Sequence, residues 1–167
     1  MKLARMQHTK KPVALFVILG AVVIVIVVIA LVVTHHSSTQ AADTPKYQTI
    51  LPKDDSIEGL GGWDRVSPPS AAPVYAYTDA IRGVAISVSQ QPLPESFKND
   101  TDAHLSELAK SYNATDKMNA DGTTVYIGTS SKGPQSALFV KNALLVLIKS
   151  QSKIDDKQWI TYIDSLQ

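Results

Sequence analysis

Between Pro12 and Thr34 the chain is uncharged and almost wholly apolar, running Pro-Val-Ala-Leu-Phe-Val-Ile-Leu-Gly-Ala-Val-Val-Ile-Val-Ile-Val-Val-Ile-Ala-Leu-Val-Val-Thr. At about 1.5 Å per helical residue, such a run spans a hydrocarbon core of roughly 30 Å. A backbone in lipid must satisfy its own hydrogen bonds, and for a lone span that means a helix, whatever its content of Val and Ile. Residues 12–34 are therefore predicted to be a transmembrane signal-anchor helix, with the lipid bilayer as its partner. Everything else in the chain must fold on one side of a membrane or the other.

Charge decides which side. Lys2, Arg5, Lys10 and Lys11 precede the run with no acid among them, whereas the stretch from His35 to Pro45 has no Lys or Arg. Positive charge stays in the cytoplasm, so residues 1–11 are expected inside and residues 35–167 outside the plasma (cytoplasmic) membrane. A cleaved signal peptide is the competing reading, and Thr39-Gln40-Ala41 offers small residues for a cleavage site. Signal-peptide apolar cores run to about 7–15 residues, and this run is much longer. Gly20 and Ala21 have no small residue four positions away, so neither belongs to a small-xxx-small dimer motif. No ionisable group within the run suggests a channel or proton path.

The outer region holds twelve of the sixteen basic residues against all fifteen acids, a net charge of −3. It has no basic stripe, which argues against nucleic acid as a partner, and no polybasic cluster for anionic lipid. The absence of cysteine removes disulfides, Cys–zinc sites and thiol catalysis together. About 120 residues suffice for one core and are too few for two ordinary domains. Asn99-Asp-Thr101 and Asn113-Ala-Thr115 match a glycosylation pattern that matters only in a eukaryotic secretory pathway.

Along the outer region, residues 35–46 are small and polar and read as a flexible tether with a reach of only about 5–6 Å × √n. A domain is expected over 47–167. Asp54-Asp-Ser56 and Gly59-Leu-Gly-Gly62 suggest turns, Trp63–Val66 a short strand, and the prolines of Ser67–Pro73 a loop. Val74–Ile81 and Val84–Gln91 form strand patterns around Arg82-Gly83. Glu95–Tyr112 has helical spacing of Phe97, Thr101, Leu105, Leu108 and Tyr112, opened by Pro94. Strands over Thr115–Ala120 and Thr123–Gly128 flank Asp121-Gly122, a strong hairpin signal. Ser136–Lys141 and Leu144–Lys149 make a last pair around Asn142-Ala143. Leu144–Ile148 is continuously apolar and is expected to be central and covered on both faces. Asp155 with Gln158 resembles a capping box. Trp159, Ile160, Ile163 and Leu166 then form one face of a terminal helix lying on the sheet. The expected fold is α+β: an antiparallel sheet with a mid-chain helix and a C-terminal helix packed on it.

Chemistry is harder to find. Gly59–Gly62 lacks the strand before, helix after and Lys-Ser/Thr of a phosphate cradle. His35-His36 with Asp43 sits on the tether, where fixed metal geometry is not available. His104 lies one turn from Asp100, which suggests either a general base or a surface i,i+4 pair. No Gly-x-Ser-x-Gly elbow is present, and Ser87 and Ser89 fit a solvent face. The acids of Asp54-Asp55 diverge on an extended chain, and Asp155 of the pair Asp155-Asp156 is expected to cap a helix. These patterns name no catalytic residue, metal ligand or cofactor. The cluster retained as a candidate binding face is aromatic: Tyr75, Tyr77, Trp63 and Tyr126.

The order of elements over residues 70–166, ending in the apolar strand Leu144–Ile148 and the short helix Trp159–Leu166, resembles a bacterial domain of unknown function found in membrane-anchored regulators and lipoproteins. Val88-Ser-Gln-Gln-Pro-Leu-Pro94, Val125-Tyr-Ile-Gly128 and Gly133-Pro-Gln-Ser136 are similar to segments of small signal-anchored bacterial proteins. The resemblance implies a non-enzymatic module and transfers no functional residue. Two further readings are a membrane sensor, which the eleven-residue cytoplasmic piece is too short to serve with its own output domain, and an envelope hydrolase, which needs a convergent polar site. A binding or scaffolding module with an envelope or membrane-protein partner is the expectation the sequence favours.

Overall fold

The computed structural model describes residues 44–167. The cytoplasmic piece 1–11, the span 12–34 and residues 35–43 of the tether lie outside the described residues. Among the described residues, no helix is long and apolar enough to cross a membrane.

Three tight turns set the architecture. Arg82-Gly83, Asp121-Gly122 and Asn142-Ala143 each place two successive residues at positive φ, the geometry that lets a two-residue turn follow the twist of its strands. They join β2 (Tyr75–Ile81) to β3 (Val84–Pro92), β4 (Ala114–Ala120) to β5 (Thr123–Thr129), and β6 (Gln135–Lys141) to β7 (Leu144–Ser150). With β1 (Asp64–Arg65), these strands form a seven-stranded antiparallel sheet in the order β1-β2-β3-β7-β6-β5-β4. The continuously apolar β7 is the middle strand, buried from Leu144 to Ile148. Ala143, at φ 58°, holds a conformation natural to glycine.

Two helices cover the sheet from opposite sides. The segment predicted as one helix over Glu95–Tyr112 is divided. Glu95–Phe97 is a 3₁₀ turn, and α1 begins only at Thr101 and ends at Ser111. The break falls at Asn99-Asp100, because Asp100 is extended and its carboxylate accepts the Ala103 N–H at 3.1 Å. Asp and Asn compete for backbone hydrogen bonds and favour such cap positions over helix interiors. Leu105 and Ala109 of α1 form a core with Tyr126, Leu138, Leu145 and Leu147. The second helix, α2 (Asp156–Ser165), lies on the other face, where Trp159, Ile163 and Leu166 join Val88, Phe139, Val146 and Ile148.

The predicted capping box at Asp155 does not form. Its side chain makes no cap bond, and Gln158 and Trp159 donate instead to its backbone carbonyl. A residue from the sheet fixes this end of α2. The buried Gln135 amide oxygen accepts from Ile154 N–H at 2.7 Å and Trp159 Nε1–H at 3.0 Å, while its NH2 donates to Thr129 Oγ1. At the opposite end, Lys141 Nζ donates to the Ile163 carbonyl at 3.0 Å and pairs with Asp121 at 2.8 Å. Buried Gln90 holds the first part of the domain the same way, exchanging two amide bonds with the Ile50 backbone. Leu51 and Gln167 then exchange backbone bonds with each other.

Trp159 is fully buried, so Trp159→Ala should cost about 3–5 kcal/mol in a denaturant titration. Ala143→Gly should raise stability by about 0.5–1 kcal/mol, since it relieves a left-handed alanine that costs roughly 1–2 kcal/mol. An unchanged or lower denaturation midpoint would contradict that.

Candidate functional site

Period two places Tyr75 and Tyr77 on the same face of β2, and Trp63 precedes β1 alongside them. The Trp63 ring meets Tyr75 at 6.4 Å and Tyr77 at 5.4 Å between centroids, both edge-on, and Tyr47 reaches Tyr75 at 6.0 Å. The sheet brings these rings together and then covers them. Tyr75 and Tyr77 are only 3% and 1% exposed, while Trp63 is half-buried. Tyr126 is not part of the group. It belongs to the core beneath α1 on the opposite face, with Lys117 Nζ 4.9 Å from its ring centre. Alternation along one strand does not say which face a residue on another strand shares, and that choice separates Tyr126 from the other three.

The buried aromatics carry a short polar chain. The Tyr77 and Tyr162 hydroxyls lie 3.4 Å apart, and Tyr162 donates to Asp79 Oδ2 at 2.9 Å. Burial pushes the Tyr47 hydroxyl up to about 12. Burial likewise raises Tyr77 and Tyr162 far above the usual phenol range, and at Tyr162 the neighbouring Tyr77 and Asp79 add to the effect. These phenols stay protonated, and their role in the fold is as hydrogen-bonding core residues.

His104 does not meet a base's requirements. Asp100 is committed to capping α1, and the His104 ring rests beside Phe97 at 5.4 Å. Gly59–Gly62 forms a run of turns in which Leu60, Gly61 and Gly62 donate back to Ser56, Glu58 and Ile57. No group of three His, Cys, Asp or Glu able to hold a metal occurs among the described residues. His35 and His36 lie outside them.

Among the described residues, two recesses stand out. A wide one of about 540 Å³ lies between the β2–β3 turn and α2, lined by Ile81, Arg82, Lys157, Thr161 and Tyr162. A smaller one of about 200 Å³ lies at the end of α1, with Tyr112, Asn113, Ser130, Ser136 and Lys149 in its lining. Sequence reasoning missed both, since each draws on elements far apart in the chain.

The third feature is a surface. On the α2 face, the sheet is covered from β2 to β4. On the opposite face, α1 lies over β4, β5 and β6, and beyond the buried Ala76 the β2–β3 part is open. There Thr78 and Ala80 are exposed, and Ala85, Ser87, Ser89 and Gln91 are half-buried. This is a small-residue, uncharged patch of sheet. No protein-family model, curated protein or solved structure matches the chain.

The Tyr47 hydroxyl gives a pH signature. Its folded pKa lies above the free value of 10.0. Its stabilising contribution is therefore complete below pH 10.0 and is lost as pH rises through about 12. Denaturant titrations across that alkaline window should show wild-type stability falling more steeply than that of Tyr47→Phe. Parallel curves would refute the assignment.

Proposed function

We propose that residues 47–167 form a non-enzymatic binding or scaffolding module at the cell envelope. In this reading, residues 12–34 anchor it as a single-pass helix in the cytoplasmic membrane, with the N-terminus inside. Its partner is an envelope or membrane protein, and it docks on the open β2–β3 part of the sheet.

The observation that supports this reading is the one-sided cover of those two strands. Val88 and Ile86 are buried beneath α2, while Ala85, Ser87 and Ser89 on the reverse side carry no helix. Small side chains let a partner's surface approach the sheet closely. The patch holds no charge that would have to be stripped of water, a cost that a buried unpaired charge always brings. Lys149, the cross-strand neighbour of Ser87 on β7, stands at its edge, and charged residues are usual around rather than within the centre of a protein interface. Neither recess has a histidine or a carboxylate in its lining, so neither presents the acid–base pair that hydrolysis needs. Binding therefore accounts for the geometry better than catalysis does.

A direct check is cross-linking of the intact protein in its native membrane, with the captured partner identified by mass spectrometry. Thr78→Arg and Ala80→Arg place long cations on the exposed patch and should abolish capture. Because both positions are exposed, stability should stay within about 0.5 kcal/mol of wild type. Undiminished capture by both variants would exclude this face.

A further inference from the structure

Lysine appears twice in the middle of the sheet, in opposite circumstances. Lys141 is buried and fully provided for, with the Ile163 carbonyl on one side and Asp121 on the other. Lys149, on the neighbouring strand β7 and the opposite face, is half-buried and makes no ion pair among the described residues. Its ammonium group lies 5.7 Å from the centre of the Tyr112 ring, its one side-chain interaction among the described residues. Burial lowers its amine from the ordinary lysine range. A cation taken partly out of water without a counter-charge costs free energy that an anion would return.

The register shows what surrounds it. Lys149 pairs with Ser87 of β3 on one side and Ser136 of β6 on the other. Ser136 in turn pairs with Gly128, and Gly128 with Ala114. One transverse row thus runs Ser87, Lys149, Ser136, Gly128 and Ala114, a single cation among side chains too short to cover it. Gly128 is required there: a Cβ would meet the Tyr112 carbonyl at 2.7 Å, so glycine lets the end of α1 close over the row. That closure brings Tyr112 and Asn113 against the row and makes the 200 Å³ recess.

The donors in the lining divide into two sets. Gln135 and Ser150 are committed to Ile154, Trp159, Thr129 and Ser152. The side chains of Asn113, Ser130 and Ser136 make no hydrogen bond among the described residues, and no carboxylate lines the recess. Tyr112 is the other titratable group there. The geometry points to a binding site for a small oxyanion, a carboxylate or a phosphate group, held by Lys149 with hydroxyl and amide donors from Ser136, Ser130 and Asn113. Bonds from neutral donors orient the anion, and the charge-assisted bond to Lys149 supplies most of the affinity. The recess accepts one such group with little attached to it. This site adjoins the proposed docking patch at Ser87 but takes none of its binding groups from it, so the anion titration tests it without any protein partner.

The test uses the full chain in detergent micelles with ¹³C-labelled lysine, titrated separately with sodium acetate and sodium phosphate, and with sodium chloride as the ionic-strength control. The Lys149 side-chain resonance should move saturably with at least one oxyanion, while the exposed Lys53, in neither recess, follows only the chloride control. Saturation by acetate alone identifies a carboxylate site, and saturation by phosphate alone a phosphate site. Ser136→Ala should weaken the response severalfold. Lys149→Gln should weaken it at least about tenfold, read from the backbone amides of Gly128 and Ser130. If Lys149→Gln fails to fold, the wild-type titration and Ser136→Ala still decide. A Lys149 response that is linear with both oxyanions and equal to that of Lys53 overturns the proposal, as does full binding in Ser136→Ala with the Gly128 and Ser130 amides unmoved.

Discussion

Leu144 to Ile148 has no polar side, and the rest of the domain is arranged around that fact. A strand that is apolar on both faces must lie inside a sheet and beneath cover on each side. β7 accordingly takes the central position, with β3 and β6 as neighbours. The α2 helix supplies cover on one face and α1 on the other. One 11-residue helix does not span seven strands, so α1 leaves the β2–β3 part of its face bare. The open patch follows from covering the middle strand with short helices. The sequence there is suited to exposure: Thr78, Ala80, Ser87 and Ser89 stand where further apolar residues would have required a third helix.

With no disulfide to hold the layers, buried polar side chains fix them in register. Gln135 ties the start of α2 to β6, Lys141 ties its end to the same strand, and Gln90 ties the Ile50 segment to β3. Each replaces backbone–water bonds with side-chain bonds of matching geometry. No side-chain polar atom is left buried and unsatisfied among the described residues. Apolar packing alone would permit the helices to slide. These fasteners make one arrangement better than its neighbours, since any shift would strand a buried donor or acceptor. Lys149 is not one of these buried fasteners: it is half-buried and makes no ion pair among the described residues, the observation behind the anion site proposed for it.

Much of the fold was legible in the sequence because its signals are local. The strand alternation of Val84–Val88, the Asp121-Gly122 turn and the unbroken apolar run of β7 each state their structure within a few residues. The position of β7 at the centre could be read from its composition alone. The break at Asn99-Asp100 was hidden by a helical apolar spacing that continues across it, and the Asp155 motif misled because its side chain makes no cap bond, while Gln135, twenty residues earlier, holds this end of α2 through Ile154 N–H and the Trp159 indole. The aromatic cluster was half legible. Tyr75 and Tyr77 share a face by period two, but their burial and the separation of Tyr126 depend on which strands pair. The Lys149 row could not be read at all, since it takes one residue from each of five strands.

The chain's lack of cysteine allows one measurement that addresses both its placement and its docking face. Single cysteines would be introduced by Ser87→Cys on the open patch and Lys132→Cys on the exposed β5–β6 turn. Each would be exposed to a membrane-impermeant maleimide, once on intact cells and once on purified protein. The account predicts that the Lys132→Cys thiol reacts in both settings, and that the Ser87→Cys thiol reacts in the purified protein but is protected in cells. Equal labelling of Ser87→Cys in both settings would contradict a docked partner. A Lys132→Cys thiol silent in intact cells would contradict an outward-facing domain.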